Sequence, residues 1–258
     1  MRKSMFLIFI FSFFGNIPCQ ADISTGLVGW WKFDEASSGT CGGANILDSS
    51  GNANTGTCNA SPTWMAGHIG GGAMTFNGTT QYVSTTLSVN YASGSPFTLS
   101  AWFNTSYAGA NPTTIVGAFT GTVGQSLLRI ELGEGGLGVL RGDIRGTAGN
   151  RIEVNTTGTW NDGNWHLATL VRDTSNNATL YVDGGNTAGA VAVDPIISLS
   201  GFPYYIGADD ANNAAQAATF FTGSIDDVRI YNRALSTSDI SQLFLYYKGR
   251  NGFFTLGR

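Results

Sequence analysis

Apolar and polar residues alternate in several short stretches, the period of a β-strand with one buried face. In Phe97–Asn104 the odd positions form an apolar face, and in Leu128–Leu132 the even positions do. Trp165 to Val171 is mostly apolar and predicts a strand buried in part on both sides. Ala178 to Val182 predicts another. It turns at Asp183-Gly184-Gly185, where glycine supplies the positive φ a tight hairpin needs. Leu27–Phe33, Ala73–Phe76, Tyr204–Gly207 and Ile225–Tyr231 complete the strand set.

The period changes once, near the C-terminus. Ser236-Thr237-Ser238-Asp239 is a variant capping box with the acid at the third helical position. Ile240, Leu243, Phe244 and Tyr247 then fall on one helical stripe, read as core packing, and Gly249 ends it. No Pro/Ser-rich linker and no fixed-period repeat interrupts the chain. It therefore reads as one domain over 22–248 with a tail over 249–258.

Composition supports the all-β reading. Only 12% of the 258 residues are charged, about half the usual share, while Gly alone contributes 36. Few charges with many turn formers favour short strands over helices. The net charge of −4 and the absence of a basic run exclude nucleic acid as a partner, because phosphate neutralisation needs clustered Lys and Arg.

The first 21 residues read as a secretory signal peptide. Arg2 and Lys3 precede an apolar run from Met5 to Phe14, and Cys19-Gln20-Ala21 offers small residues at the two positions a signal peptidase reads. The run is too short to span a bilayer, so no transmembrane anchor is expected after cleavage. The expected location is extracellular or periplasmic. Cys41 and Cys58 then remain as an even pair in an oxidising compartment, which predicts one disulfide.

Three ordered segments resemble the laminin-G-like jelly-roll family of the concanavalin A-like lectin/glucanase superfamily. The first is Leu27 to Glu35 (LVGWWKFDE) with Asp48-Ser49-Ser50-Gly51-Asn52. The second is Gly72 to Gly78 (GAMTFNG) with Gln81-Tyr82-Val83 and Phe97 to Trp102. The third is Phe221 to Ser236 (FTGSIDDVRIYNRALS). Trp165-His166 and Leu180 to Gly184 lie between them in the expected order. The resemblance implies a two-sheet antiparallel jelly-roll sandwich. The superfamily holds lectins, adhesion modules and glycosidases alike, so function must come from the site.

Asp226 is the most informative acid. Simple alternation along Ile225–Tyr231 puts it on the apolar face with Val228 and Ile230, where a carboxylate needs a partner. That partner is either calcium or a set of loop amides. The resemblance implies a structural calcium near the meeting of first and last strands, which makes Asp34, at the end of the first strand, a second metal ligand. Asp48 is a third candidate, although the Asp48–Asn54 loop lacks the closing Glu of a helix-loop-helix calcium site and reads equally as a solvated turn.

Trp64, Tyr107, Trp160 and Tyr204 are candidate platforms for a sugar ring, and Asp209-Asp210 candidate partners for its hydroxyls; the bland readings are core packing and a solvated loop. No catalytic residue is assigned. Superfamily glucanases use a Glu-x-Asp-x-(x)-Glu strand, and Glu131-Leu132-Gly133-Glu134 lacks the central Asp. Neither His68 nor His166 sits in a metal or triad motif. The expected function is a non-catalytic binding module for a glycan or an extracellular surface protein. The alternatives are an atypical glycosidase and a purely structural extracellular domain.

Overall fold

The computed structural model describes residues 22–248 except 44, 121–125, 134–135, 147–149, 191–196, 198–201 and 210–218. The proposed leader (1–21), the tail (249–258), Glu134 and Asp210 therefore lie outside the described residues.

In chain order the strands are β1 (Leu27–Trp31), β2 (Gly39–Thr40), β3 (Asn45–Ile46), β4 (Gly56–Asn59), β5 (Thr63–Met65), β6 (Ala73–Asn77), β7 (Tyr82–Thr85), β8 (Phe97–Asn104) and β9 (Thr113–Phe119). They continue as β10 (Leu127–Leu132), β11 (Val139–Arg145), β12 (Arg151–Thr159), β13 (Trp165–Arg172), β14 (Ala178–Val182), β15 (Gly185–Ala190), β16 (Tyr205–Ile206) and β17 (Thr222–Tyr231), before helix α1 (Thr237–Lys248).

Among the described residues these strands form two antiparallel sheets. One runs β15-β14-β13-β8-β17-β6-β5-β2, with β1 also on β17; the other runs β12-β11-β10-β9-β16-β7-β4-β3. This is the jelly-roll sandwich the pattern implies.

Alternation explains the core. Leu99, Ala101 and Phe103 on β8 meet Leu128, Ile130 and Leu132 on β10 in one buried cluster between the sheets. Trp31 is fully buried there, and its indole N–H donates to the Asn54 carbonyl at 2.8 Å. A second cluster covers the outer face of the nine-stranded sheet. It packs Trp102, Leu167 and Tyr231 beneath Ile240 and Leu243 of α1. The helix begins as its sequence requires: Asp239 N–H donates to Ser236 Oγ at 3.1 Å, and Ser236 N–H donates to Asp239 Oδ2 at 2.9 Å. The Tyr247 side chain lies outside the described set.

Asp183 (φ +53°) and Gly184 (φ +80°) make the expected hairpin between β14 and β15. The Cys41–Cys58 disulfide is formed, with a Cα–Cα distance of 6.0 Å. Cys41 follows β2 of one sheet and Cys58 lies in β4 of the other, so the bond staples the sandwich at one edge.

Candidate functional site

Where the ends of β6 and β8 meet the starts of β9 and β17, the surface opens into a cavity of about 330 Å³. Tyr107 and Phe220 supply aromatic surface; Asn111, Thr113, Thr219 and Thr222 supply polar groups. Among the described residues no charged side chain lines it. Gly78 forms part of its wall at φ +73°, and a Cβ there would sit 1.9 Å from Thr222 Oγ1. Only glycine combines this backbone with this clearance. Hydrogen bonds to backbone carbonyls fix the rim: Thr114 N–H donates to the Thr219 carbonyl at 2.8 Å, and Asn161 Nδ2 donates to the Tyr107 carbonyl at 2.9 Å.

Of the four aromatic residues read as sugar platforms, only Tyr107 lines this cavity. Trp160 is half-buried nearby in sequence to Asn161, its indole N–H donating to Thr156 Oγ1 at 3.2 Å and its ring standing edge-on to His166. Trp64 and Tyr204 are core residues and are corrected here. Trp64 lies on β5 facing inward and packs against Phe33, so its loop-like flanks conceal a three-residue strand. Tyr204 is fully buried, its hydroxyl 3.0 Å from that of Tyr91. Asp209 is no free acid either. It is buried, pairs with Arg129 Nη1 at 2.6 Å, and accepts Thr219 N–H at 3.2 Å. Phe220, Asn111 and the three threonines were not singled out by sequence, because a cavity at strand ends has no periodic signature.

The outer face of β10–β12 carries an ion network. Odd residues on β10 and β11 register so that Arg129 opposes Asp143 and Glu131 opposes Arg141. Arg129 Nη2 lies 2.9 Å from Glu131 Oε2 and 3.3 Å from Asp143 Oδ2, while Arg141 Nε donates to Glu131 Oε1. Arg145 and Arg151 close on Asp143 at 2.7 and 3.0 Å. Burial pushes the Asp143 carboxyl up, but hydrogen bonds from Arg151 and Arg145 outweigh it and hold the group below its ordinary value. Glu131, the nearest approach to a glucanase acid, is thus fully buried between two guanidinium groups.

A different acidic site lies on the other sheet. Alternation along β17 breaks at Asp227, which has φ +47° and shifts the register against β8. This bulge turns Asp226 away from Val228 and Ile230, correcting the simple alternation, and sets it opposite Trp102. Asp226 is fully buried. Its Oδ2 accepts Ile69 N–H at 2.8 Å, and its Oδ1 has no hydrogen-bond partner among the described residues. Burial, with repulsion from Asp227 and Asp34, pushes its carboxyl up to about 8. Asp227 itself is satisfied, accepting from the Trp30 indole at 2.5 Å and pairing with Arg229 at 3.1 Å.

These oxygens suit a hard cation. Exposed Asp34 accepts Gly71 N–H at 2.5 Å. The carbonyls of Phe33 and Ala36 crowd Gly72 so closely that a Cβ there would lie 2.3 and 2.1 Å from them. No group of three or more His, Cys, Asp or Glu among the described residues has metal-binding geometry, so a cation here would need backbone carbonyls to complete its shell. In donor chemistry, an orphaned buried carboxylate oxygen together with exposed Asp34 and backbone carbonyls suits calcium. Asp48 is already committed: its carboxylate accepts the amides of Trp30 (2.9 Å), Ser50 (2.8 Å) and Asn54 (2.8 Å), the work of a turn-holding residue.

A family model described as the concanavalin A-like lectin/glucanases superfamily matches residues 77–241. No sequence among curated proteins matches the chain. Solved structures share the fold. The binding domain of Paraclostridial Mosquitocidal Protein 1 is 18% identical, with TM-score 0.65 over 87% of this chain and 53% of that one. The Botulinum Neurotoxin serotype G binding domain is 17% identical, with TM-score 0.67 over 87% and 52%. Domain 4 of AbnA, a GH43 extracellular arabinanase from Geobacillus stearothermophilus, in complex with arabinotriose, is 19% identical, with TM-score 0.63 over 84% and 97%. The chain spans about half the length of the two toxin domains and nearly all of the arabinanase domain.

Proposed function

The chain belongs to the concanavalin A-like lectin/glucanases superfamily, and from that premise we propose that it is an exported, non-catalytic module that binds a neutral carbohydrate and holds a structural calcium ion. The observation that carries the reading is the cavity of about 330 Å³, uncharged among its described lining residues, where Tyr107 and Phe220 offer ring surface and Asn111, Thr219 and Thr222 offer partners for sugar hydroxyls. Ligand sites of this size combine apolar walls with a few placed polar groups. The similarity to a domain solved with arabinotriose supports the same class of ligand.

Two carboxyl groups must flank a glycosidic bond, one able to give up a proton. Among the described residues the nearest candidate, Glu131, is buried and committed to ion pairs with Arg129 and Arg141, which supports the non-catalytic reading. Calcium would be held by Asp226 and Asp34, with nearby carbonyls such as those of Phe33 and Ala36. Its role there is charge neutralisation and fastening of the Gly67–Gly72 segment, not chemistry.

Calorimetry against neutral and acidic polysaccharides, with product analysis of the same mixtures, tests the reading. Binding to neutral polymers without released sugars is expected, lost in Phe220→Ala. Released oligosaccharides, or silence across the whole panel, overturns it; silence would favour an extracellular surface-protein ligand.

A further inference from the structure

Resting on the carbohydrate reading, we propose that the site takes at least two contiguous neutral sugar units, one in the cavity and the next stacked on Tyr82. Phe220 joins the two places. It lines the cavity, and its ring centroid lies 6.2 Å from that of Tyr82, tilted by 40°. Tyr82 is half-buried on β7 and is held from the side by Tyr205, whose ring meets it edge-on at 5.7 Å. Such bracing fixes one ring face at little entropic cost, as an aromatic platform requires.

The register surrounds that platform with neutral hydrogen-bonding groups. Asn59 lies opposite Tyr82 across the β4–β7 pairing. Its Nδ2 donates to the Thr57 carbonyl at 2.9 Å and to Ser84 Oγ at 3.0 Å, which turns the half-buried carboxamide by the platform and leaves Oδ1 to accept from a ligand. Gln81 is anchored in the same way, its Nε2 donating to the Ser61 carbonyl at 2.9 Å. Asp209, whose carboxylate accepts the amide of the rim residue Thr219, is itself paired with Arg129 at 2.6 Å. Aromatic faces bordered, among the described residues, by amides and hydroxyls match an uncharged oligosaccharide better than a sugar acid or a phosphate.

Arabinose, arabinobiose and arabinotriose, with xylose and glucose series of the same lengths, are titrated by NMR and calorimetry against the intact mature protein. Within the series that binds, the disaccharide is expected to bind at least tenfold tighter than the monosaccharide. Tyr82→Ala should cut that ratio below twofold, and Tyr82→Phe should restore it, which separates stacking from folding. Equal affinity for one and two units, or a length dependence indifferent to Tyr82→Ala, overturns the inference and leaves the binding function standing. Absence of binding by any of these sugars and by the polysaccharide panel removes both.

Discussion

Asp226→Asn separates the energetics of the acidic site from every other titrating group. In the metal-free protein the Asp226 carboxyl is raised from 3.8 to about 8, chiefly by burial. An acid whose folded-state value exceeds its unfolded-state value keeps its proton longer in the folded state. It therefore costs no stability below about pH 4, costs progressively more as pH rises from about 4 to 8, and costs its full amount above that. Each pH unit of the gap is worth about 1.4 kcal/mol, so full ionisation costs on the order of 5 kcal/mol. Asparagine keeps the acceptor for Ile69 N–H and removes the charge. Chemical denaturation in chelator, from pH 5 to pH 9, should show the variant gaining on wild type by several kcal/mol across that range. Calcium should reverse the order: it offsets the ionised carboxylate, raises the wild-type melting temperature with its concentration, and leaves the variant nearly unmoved. A difference between wild type and variant that stays flat from pH 5 to pH 9 refutes the buried-carboxyl argument. An equal calcium response in both proteins refutes the cation site.

Four further outcomes are expected. Mass spectrometry of exported protein should find Asp22 as the first residue, and Met1 on such material contradicts the leader. Thiol titration of the unreduced, denatured protein should find none free, and replacing Cys41 and Cys58 by Ser should cost about 3 kcal/mol in denaturant unfolding. Glu131→Leu, which leaves Arg129 and Arg141 buried without their shared carboxylate, should cost about 3–5 kcal/mol, measured the same way. NMR titration should place His166 above its ordinary 6.5, raised first by the hydrogen bond with Asp183, and His68 below it through burial. The stability His166 adds is accordingly present below pH 6.5 and is lost as pH climbs through its folded-state value.

Much of the fold was legible because alternation of apolar and polar side chains writes a period into the chain even where, as in β8, both faces are buried. Phe97–Asn104 and Ala178–Val182 match β8 and β14 residue for residue, and the capping box located α1. What escaped were strands whose partners alter the pattern. β9 is buried at every position and shows no alternation. β11 has a charged face that reads as solvent-exposed until β10 is laid beside it, when Arg141 and Asp143 find Glu131 and Arg129. The same blindness hid the burial of Glu131 and Asp209. For the site, Asp34 and Asp226 were legible as acids in unusual settings, but the orientation of Asp226 was not, since a single positive φ at Asp227 reverses which side it faces. The cavity gathers residues from 78 to 222 that no local pattern connects.

The described strand nearest the C-terminus sits in the middle of the sheet that depends on it. β17 lies inside the nine-stranded sheet, flanked by β8 and β6 and also joined by β1, and it follows all three in the chain. Until residue 231 exists, β8 and β6 have no common neighbour and β1 lacks its partner in the sheet. Native pairing must then be completed between segments some two hundred residues apart, a slow search with a large entropic barrier. The register of β1, β6 and β8 in this sheet is therefore fixed only once β17 is in place.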